Sequence, residues 1–229
     1  MSDCRKNQNV GHTWELKKIM ATEIKHLCFD LDGTLIDSLS LMSKSWGQVQ
    51  KDFNVNQSFK EYKKYIGIPF DEILALLKIP KNKHASIRNL YNDYSKKHHK
   101  EVNLYPKVKE TLRLLKDLGL NFSVLTSKNK SRSYEILKSF NLIDFFDFVL
   151  CPEDLPDGWA KPSPLALLRV SELSDSKTNE LLYIGDMLSD KLCSEGAGVK
   201  YIHCIYGYDP SVNAQNSISN FGEIIKFIK

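Results

Sequence analysis

The chain has 229 residues, of which 42% are hydrophobic and 26% are charged, and its formal net charge is +4. This composition is typical of a globular protein and suits one α/β domain with, at most, a small insertion. No run of about 18 consecutive apolar residues is present, which excludes an ordinary membrane-spanning helix.

The N-terminal residues and the cysteines bear on the cellular location of the protein. Residues 1–22 precede the first strand pattern and lack the apolar centre of a signal peptide, so we expect a flexible extension. The five cysteines are scattered and form no C-x-x-C pair. They are expected to be reduced thiols, which predicts a cytoplasmic location.

Short apolar runs alternate with helical patterns along the chain, as in a parallel sheet with crossover helices. The predicted strands are 24–29, 120–125, 147–150, 180–184 and 199–205. The predicted helices between and after these strands are 105–119, 131–140, 162–173, 189–196 and 221–229. In the first of them, Pro106 opens the helix and Gly119 closes it. The polar stretch 207–220 is expected to be a loop.

Residues 38–104 form a connection far longer than the 2–6 residues or so of a usual strand-to-helix loop. Helical patterns at 40–53, 70–77 and 85–99 predict a small helical insertion there. The predicted division is therefore an extension at 1–22, a core at 23–37 and 105–229, and an insertion at 38–104. Basic residues are frequent between 78 and 109, but no aromatic-interleaved pattern accompanies them, which favours a solvated helix face over a nucleic-acid site.

The clearest chemical motif is HLCFDLDGTLIDS at 26–38, in which an apolar strand leads into Asp30 and Asp32. Residues two apart on an extended chain face the same way, so both carboxylates can enter one site. Two adjacent anions oppose each other's ionisation unless a cation or a proton offsets one of them. This arrangement suits a nucleophile beside Mg²⁺ and a partner that carries a proton. Taken alone, the motif fits a turn and a helix cap equally well.

Other predicted strands also end in polar residues. Thr126 and Ser127 follow the second strand, and Asp186 and Asp190 follow the fourth. Because ligands of open α/β sheets bind beyond the carboxyl ends of the strands, these groups are expected at one edge. Hydroxyls and carboxylates together suit a phosphate and a hard divalent cation. Lys161, in a Pro-bounded loop, could offset phosphate charge, although a single lysine is usually a surface residue.

Four segments in this order resemble the haloacid dehalogenase superfamily, in its phosphoglycolate-phosphatase-like branch with a helical cap. They are FDLDGT (29–34), VLTS (124–127), the Lys161 loop and IGDMLSD (184–190). The segment YIGIPFDEIL (65–74) is similar to a loop of the cap, the name used below for residues 38–104. The resemblance spans residue 24 to the C-terminus and implies an α/β fold with a Rossmann-like parallel sheet core, helices on both faces and an inserted small α-helical cap domain.

The resemblance also implies a role for each site residue. Asp30 would be the nucleophile and Asp32 would protonate the leaving oxygen and then activate water. Phosphate would be held by Thr126, Ser127 and Lys161. The cofactor would be Mg²⁺, bound by Asp30, the backbone carbonyl of Asp32 and Asp186, with Asp190 supporting from behind. The expected partner is a small phosphorylated metabolite, with no nucleic acid, no membrane, and a monomer or weak homodimer.

Alternative functions differ in how well the sequence fits them. A sugar phosphomutase uses the same core, but typically carries a Gly-x-Ser-Arg-like stretch where this chain has Gly67-Ile68-Pro69-Phe70. A phosphonate hydrolase would need a cap lysine to form an imine, and no lysine of the cap is singled out by the sequence. A dehalogenase is disfavoured because Asp32 is present. An inactive binding relative is disfavoured because the motif residues are all retained.

Overall fold

The computed structural model describes residues 24–228, so the predicted extension at 1–22 lies outside the described residues. A six-stranded parallel sheet forms the core, in the order β5-β4-β1-β6-β7-β8. Its strands are β1 (His26–Phe29), β4 (Asn121–Leu125), β5 (Phe148–Leu150), β6 (Leu181–Gly185), β7 (Lys200–Cys204) and β8 (Ser217–Ile218). The predicted α/β fold is confirmed.

Helices cover both faces of this sheet. On β1, Leu27 and Phe29 pack into one buried cluster, whereas Cys28 between them packs into another on the opposite face. This alternation is what a strand buried on both sides requires. Helices α5 (Val108–Asp117) and α6 (Lys130–Ser139) contribute to the first cluster, and α7 (Leu165–Leu173) and α8 (Leu188–Ala197) to the second.

The cap consists of four helices with an apolar cluster of their own. They are α1 (Leu39–Phe53), α2 (Phe59–Lys63), α3 (Phe70–Leu76) and α4 (Lys81–Lys97). Trp46, Tyr62 and Tyr91 lie in this cluster, and the core contributes Met187 and Tyr208 to it. The chain enters the cap from β2 (Ile36–Asp37) and leaves it through β3 (Asn103–Leu104), and these two short strands pair antiparallel. On this basis we propose the domain boundaries at 37/38 and 104/105.

Some elements differ from the sequence prediction. The stretch 207–220 is not a loop throughout, because β8 pairs parallel with β7 and buries Ile218. The last predicted helix, 221–229, is a 3₁₀ helix at Phe221–Phe227. The short helix α2 was not predicted, nor were β2 and β3. Within residues 24–228, no helix has both the length and the apolar character needed to cross a bilayer.

Candidate active site

The three central strands of the sheet bring the predicted site residues together. β1 lies between β4 and β6, so the residues that follow these strands meet at one edge. The backbone continues the pairing by one residue, since the N–H of Asp30 donates to the carbonyl of Ile184 at 2.8 Å. Asp30, Thr126 and Asp186 are all nearly inaccessible to solvent. The sheet order, which the sequence does not specify, therefore assembles the site.

Lys161 joins two buried carboxylates. Its Nζ lies 2.7 Å from Asp30 Oδ1 and 2.7 Å from Asp190 Oδ1, and its side chain is 1% exposed. Asp190 is itself saturated, because Oδ1 also accepts from Tyr183 at 2.8 Å. Its Oδ2 accepts the backbone N–H groups of Asp186 and Met187 at 3.1 and 3.0 Å. Asp190 thus orients Lys161 and the loop after β6.

Asp186 lies against the backbone of the first motif. The φ of Gly33 is +85°, and a Cβ there would come within 2.0 Å of Asp186 Oδ2. Only glycine therefore permits this approach. Oδ2 of Asp186 accepts the backbone N–H of Tyr208 at 2.7 Å, and Oδ1 accepts Thr34 Oγ1 at 3.5 Å.

Burial and neighbouring charges shift the pKa values of the ionisable groups in this site. Burial raises the pKa of Asp30 to about 7, despite the opposing charge of Lys161. Burial, followed by the charges of Asp30 and Asp190, raises the pKa of Asp186 well above its usual range. The pKa of Lys161 is also raised, because Asp190 and Asp30 outweigh the effect of its own burial. A further positive charge in this buried site would therefore favour the ionised forms of Asp30 and Asp186.

The donor set fits a hard metal ion. Carboxylate oxygens of Asp30, Asp186 and Asp190 lie within 4.8 Å of one another. Because both oxygens of Asp190 already accept hydrogen bonds, Asp30 and Asp186 are the better donors to an ion. Buried carboxylate oxygens are the ligands that Mg²⁺ and Ca²⁺ prefer. No histidine or cysteine belongs to this cluster in the described part of the chain, so the donor chemistry favours such an ion over zinc or copper.

Asp32 is held from two sides. Its Oδ1 accepts a short hydrogen bond from Ser38 Oγ, and its Oδ2 lies 3.1 Å from Lys128 Nζ. Ser38 also contacts the hydroxyl of Tyr208. The sequence motifs predict no role for Lys128, Ser38 or Tyr208. Lys128 stands next to the predicted Thr126-Ser127 pair and could have been included, whereas Tyr208 is brought here from a stretch predicted to be a loop.

Thr126 and Ser127 have different surroundings. Thr126 Oγ1 accepts the backbone N–H of Lys128 at 3.1 Å and faces the cavity described below. Ser127 Oγ donates to the carbonyl of Gly67 in the cap at 2.8 Å. The Ser127 hydroxyl therefore connects the core to the cap in this structure.

A cavity of about 320 Å³ lies between the core and the cap, next to Asp30. The core side of its wall includes Asp30, Asp32, Thr126, Ser127, Lys128 and Lys161. The cap side is mainly apolar and aromatic, with Tyr62, Phe70 and Tyr91, and also contains Arg88. Asp186 and Asp190 lie behind Asp30 rather than in this wall. The site can thus hold a small molecule beside a reactive carboxylate.

The cap and the core are joined around this cavity by hydrogen bonds from one core segment. Besides Ser127, Asn129 Nδ2 donates to Asn92 Oδ1 at 3.1 Å, and Arg132 Nη2 donates to the Ser95 carbonyl at 3.1 Å. The three donors lie within residues 127–132, in the loop after β4 and the first turn of α6. The segment that carries Thr126 therefore also contributes hydrogen bonds that hold the cap.

Comparison with known proteins identifies the family to which this chain belongs. Residues 27–204 match the family model described as haloacid dehalogenase-like hydrolase. The match covers more than half of the chain and includes all four motifs, so the chain belongs to this family, as its sequence predicted.

Curated relatives of similar length carry phosphatase names. A phosphoglycolate phosphatase of Aquifex aeolicus is 31% identical over 80% of this chain and 85% of that protein. The pyrophosphatase PpaX of Bacillus cereus is 32% identical over 77% of this chain and 81% of that protein. Among solved structures, a hydrolase from Pseudomonas syringae superposes with a TM-score of 0.79, over 88% of this chain and 96% of that one, at 19% identity. That structural likeness concerns the fold.

Proposed function

We propose that the protein is a Mg²⁺-dependent phosphatase that hydrolyses a small, phosphoglycolate-like phosphate monoester through an aspartyl-phosphate intermediate. The observation that carries this proposal is the position of Asp30. It is a buried carboxylate paired with Lys161, flanked by Asp32 and Thr126, and it opens onto a cavity. The names of the curated relatives support the same reaction class.

The chemistry divides between two carboxylates. A carboxylate oxygen of Asp30 attacks phosphorus, the bond from phosphorus to the leaving oxygen breaks, and Asp32 gives its proton to that oxygen. Water then attacks the phosphorus of the aspartyl-phosphate and gives a proton to Asp32, while the bond from phosphorus to the Asp30 oxygen breaks. Inorganic phosphate is released and both residues are restored. Two steps with a positioned acid and base replace one very slow hydrolysis.

The remaining groups bind and orient. Lys161 holds Asp30 in place and offsets phosphate charge, while Thr126 and Ser127 are proposed to donate to phosphate oxygens. For Ser127 this requires the hydroxyl to leave the Gly67 carbonyl. Asp30, Asp186 and the backbone carbonyl of Asp32 would hold Mg²⁺, with Asp190 behind them, and the bound ion supplies positive charge to the phosphate oxygens.

The cap favours a small organic phosphate. A cavity of about 320 Å³ accommodates a metabolite rather than a polymer. Both lysines of its wall, Lys128 and Lys161, belong to the core. None of the lysines of residues 38–104 lines it, which removes the nucleophile that a phosphonate hydrolase would need. We expect no nucleic acid or membrane partner and a monomer or weak homodimer.

The state of the cysteines supports the expected cytoplasmic location. Cys28, Cys151, Cys193 and Cys204 are buried free thiols in the described part of the chain. Thiols in such surroundings persist in a reducing compartment.

The test is phosphate release from a panel of small phosphorylated metabolites, with and without Mg²⁺. Wild-type protein is compared with Asp30→Asn and with Asp117→Asn, an exposed aspartate of α5 that serves as the matched control. We expect Mg²⁺-dependent release that Asp30→Asn abolishes and Asp117→Asn retains. Absence of release by the wild type would refute the proposal. Phosphoryl transfer between sugar phosphates without release would favour the mutase, and binding without turnover would favour an inactive relative.

A further inference from the structure

The segment that follows β7 lies on the site, although it carries none of the family motifs. Gly207 packs so closely that a Cβ there would come within 2.3 Å of Asp186 Cβ and 2.6 Å of the Gly33 carbonyl oxygen. The next residue, Tyr208, is 4% exposed and its ring packs in the apolar cluster of the cap. This loop therefore contacts the core site and the cap together.

Tyr208 makes two separate kinds of contact. Its backbone N–H donates to Asp186 Oδ2 at 2.7 Å. Its hydroxyl lies 2.8 Å from the backbone nitrogen of Ser38 and 3.0 Å from Ser38 Oγ. Ser38 Oγ in turn donates to Asp32 Oδ1.

The hydrogen bonds that join Tyr208, Ser38 and Asp32 allow only one assignment of donors and acceptors. The Ser38 N–H can only donate, so the Tyr208 oxygen accepts from it. The hydrogen of Ser38 Oγ is given to Asp32, so Ser38 Oγ accepts the hydrogen of the Tyr208 hydroxyl. Each group is satisfied, and the chain ends on Asp32 Oδ1. That oxygen is fixed as an acceptor. Oδ2, which lies 3.1 Å from Lys128 Nζ, is then the oxygen that can exchange a proton, so Asp32 is held by Lys128 as well as by Ser38.

We infer that Tyr208 is a positioning residue for the reaction: through Ser38, its hydroxyl fixes the rotamer of Asp32 so that Oδ2 meets the leaving oxygen. This inference rests on the proposed function, because it assigns an effect to the proton carried by Asp32. Ser38 is the first residue of the cap, directly after β2. The same hydroxyl therefore also sets where the chain enters the cap.

The contacts predict a loss that depends on the leaving group. Tyr208→Phe removes only the hydroxyl and keeps the ring and the backbone N–H to Asp186. Ethyl phosphate and acetyl phosphate are almost the same size, but ethoxide needs a proton to leave and acetate does not. Since a positioned acid contributes about 10²–10⁴-fold, we expect kcat/KM for ethyl phosphate to fall about tenfold or more and that for acetyl phosphate less than about twofold.

The experiment measures kcat/KM for both substrates in wild type, Tyr208→Phe, Ser38→Ala and Tyr201→Phe. Tyr201, on β7, has a hydroxyl 3.0 Å from His203 Nδ1 and is the matched control. Tyr208→Phe and Ser38→Ala should show the same selective loss, and the double variant should lose no more than either one. Tyr201→Phe should match the wild type. If Tyr208→Phe does not fold, Ser38→Ala tests the same hydrogen bonds between Tyr208, Ser38 and Asp32.

A second readout separates positioning from damage to the metal site. The rise in Tm on adding Mg²⁺ should be the same in Tyr208→Phe and wild type, because the backbone N–H to Asp186 is retained. Equal losses with both substrates, no loss with either, or a smaller Mg²⁺-induced rise in Tm would overturn the inference while leaving the phosphatase proposal intact. A wild type that hydrolyses neither these two substrates nor any compound of the metabolite panel would overturn both.

Discussion

His26 should make the stability of the fold depend on pH. It is 1% exposed on β1, its Nε2 lies 2.8 Å from Ser123 Oγ, and its ring stacks on Phe148. Burial lowers the pKa of His26 from 6.5 to about 4, partly opposed by the charge of Asp147. The folded protein therefore holds the neutral ring, and the unfolded chain binds a proton more readily between these values.

The size and sign follow from this difference. A folded pKa below the unfolded one gives stability that is complete above pH 6.5 and is lost as the pH falls toward 4. A shift of about 2.5 units corresponds to about 3 kcal/mol. We therefore expect His26→Gln to be less stable than wild type at pH 7.5, but to lose about 3 kcal/mol less on acidification.

Urea denaturation at pH 7.5, 6, 5 and 4 measures this loss. Leu27→Val, the neighbouring buried residue of β1, is the control that destabilises without removing a titrating group, and its stability should run parallel to wild type across the series. If His26→Gln also runs parallel to wild type, the neutral buried histidine is not the cause of the acid sensitivity, and the reasoning is refuted.

Three further substitutions test the packing of the site. Lys161→Met should reduce the free energy of unfolding by about 3–5 kcal/mol, since it leaves buried carboxylates unpaired. Lys226→Met, at an exposed ion pair, should cost less than about 1 kcal/mol, and equal costs in urea denaturation would contradict this. Gly33→Ala should lower kcat/KM at least about 100-fold by displacing Asp186, a proposed metal ligand. Gly119→Ala, at φ +82° with open space around it, should retain activity, and similar losses in both variants would mean that backbone strain alone is responsible. Arg132→Gln should speed amide hydrogen exchange in α4 but not in β4, because the hydrogen bond from Arg132 Nη2 to the Ser95 carbonyl of α4 is lost. Unchanged exchange in α4 would exclude Arg132 as a link to the cap.

The core of the fold could be predicted because its signals are local. Apolar runs bounded by polar residues located β1, β4, β5, β6 and β7, and the polar residues after β1, β4 and β6 do meet at one edge. The sequence contained a signal for α2 that was not used. Ser58 and Glu61 form a capping box at its start, and this S-x-x-E spacing is visible in the chain.

The supporting residues could not be predicted because their roles arise from distant parts of the chain. Tyr208 is 170 residues from Ser38, and no periodicity in its polar surroundings indicates that its ring is buried. β8 has only two residues, too few for a strand pattern. Arg132 looks like an ordinary charged residue until α6 and the cap are placed beside each other.

The paired strands β2 and β3 have a consequence for how this chain divides its work. Both crossings between core and cap run side by side through Ile36–Asp37 and Asn103–Leu104, so the cap is attached at a single narrow base. The residues proposed to break the bond to phosphorus lie at the ends of the sheet strands, whereas most of the remaining cavity wall belongs to the cap. A change in length or sequence between the two crossings, away from Ser38, is therefore expected to alter which molecule is accepted and to leave the proposed phosphate chemistry in place. Ser38 is the exception, because it belongs to the cap and yet contacts Asp32.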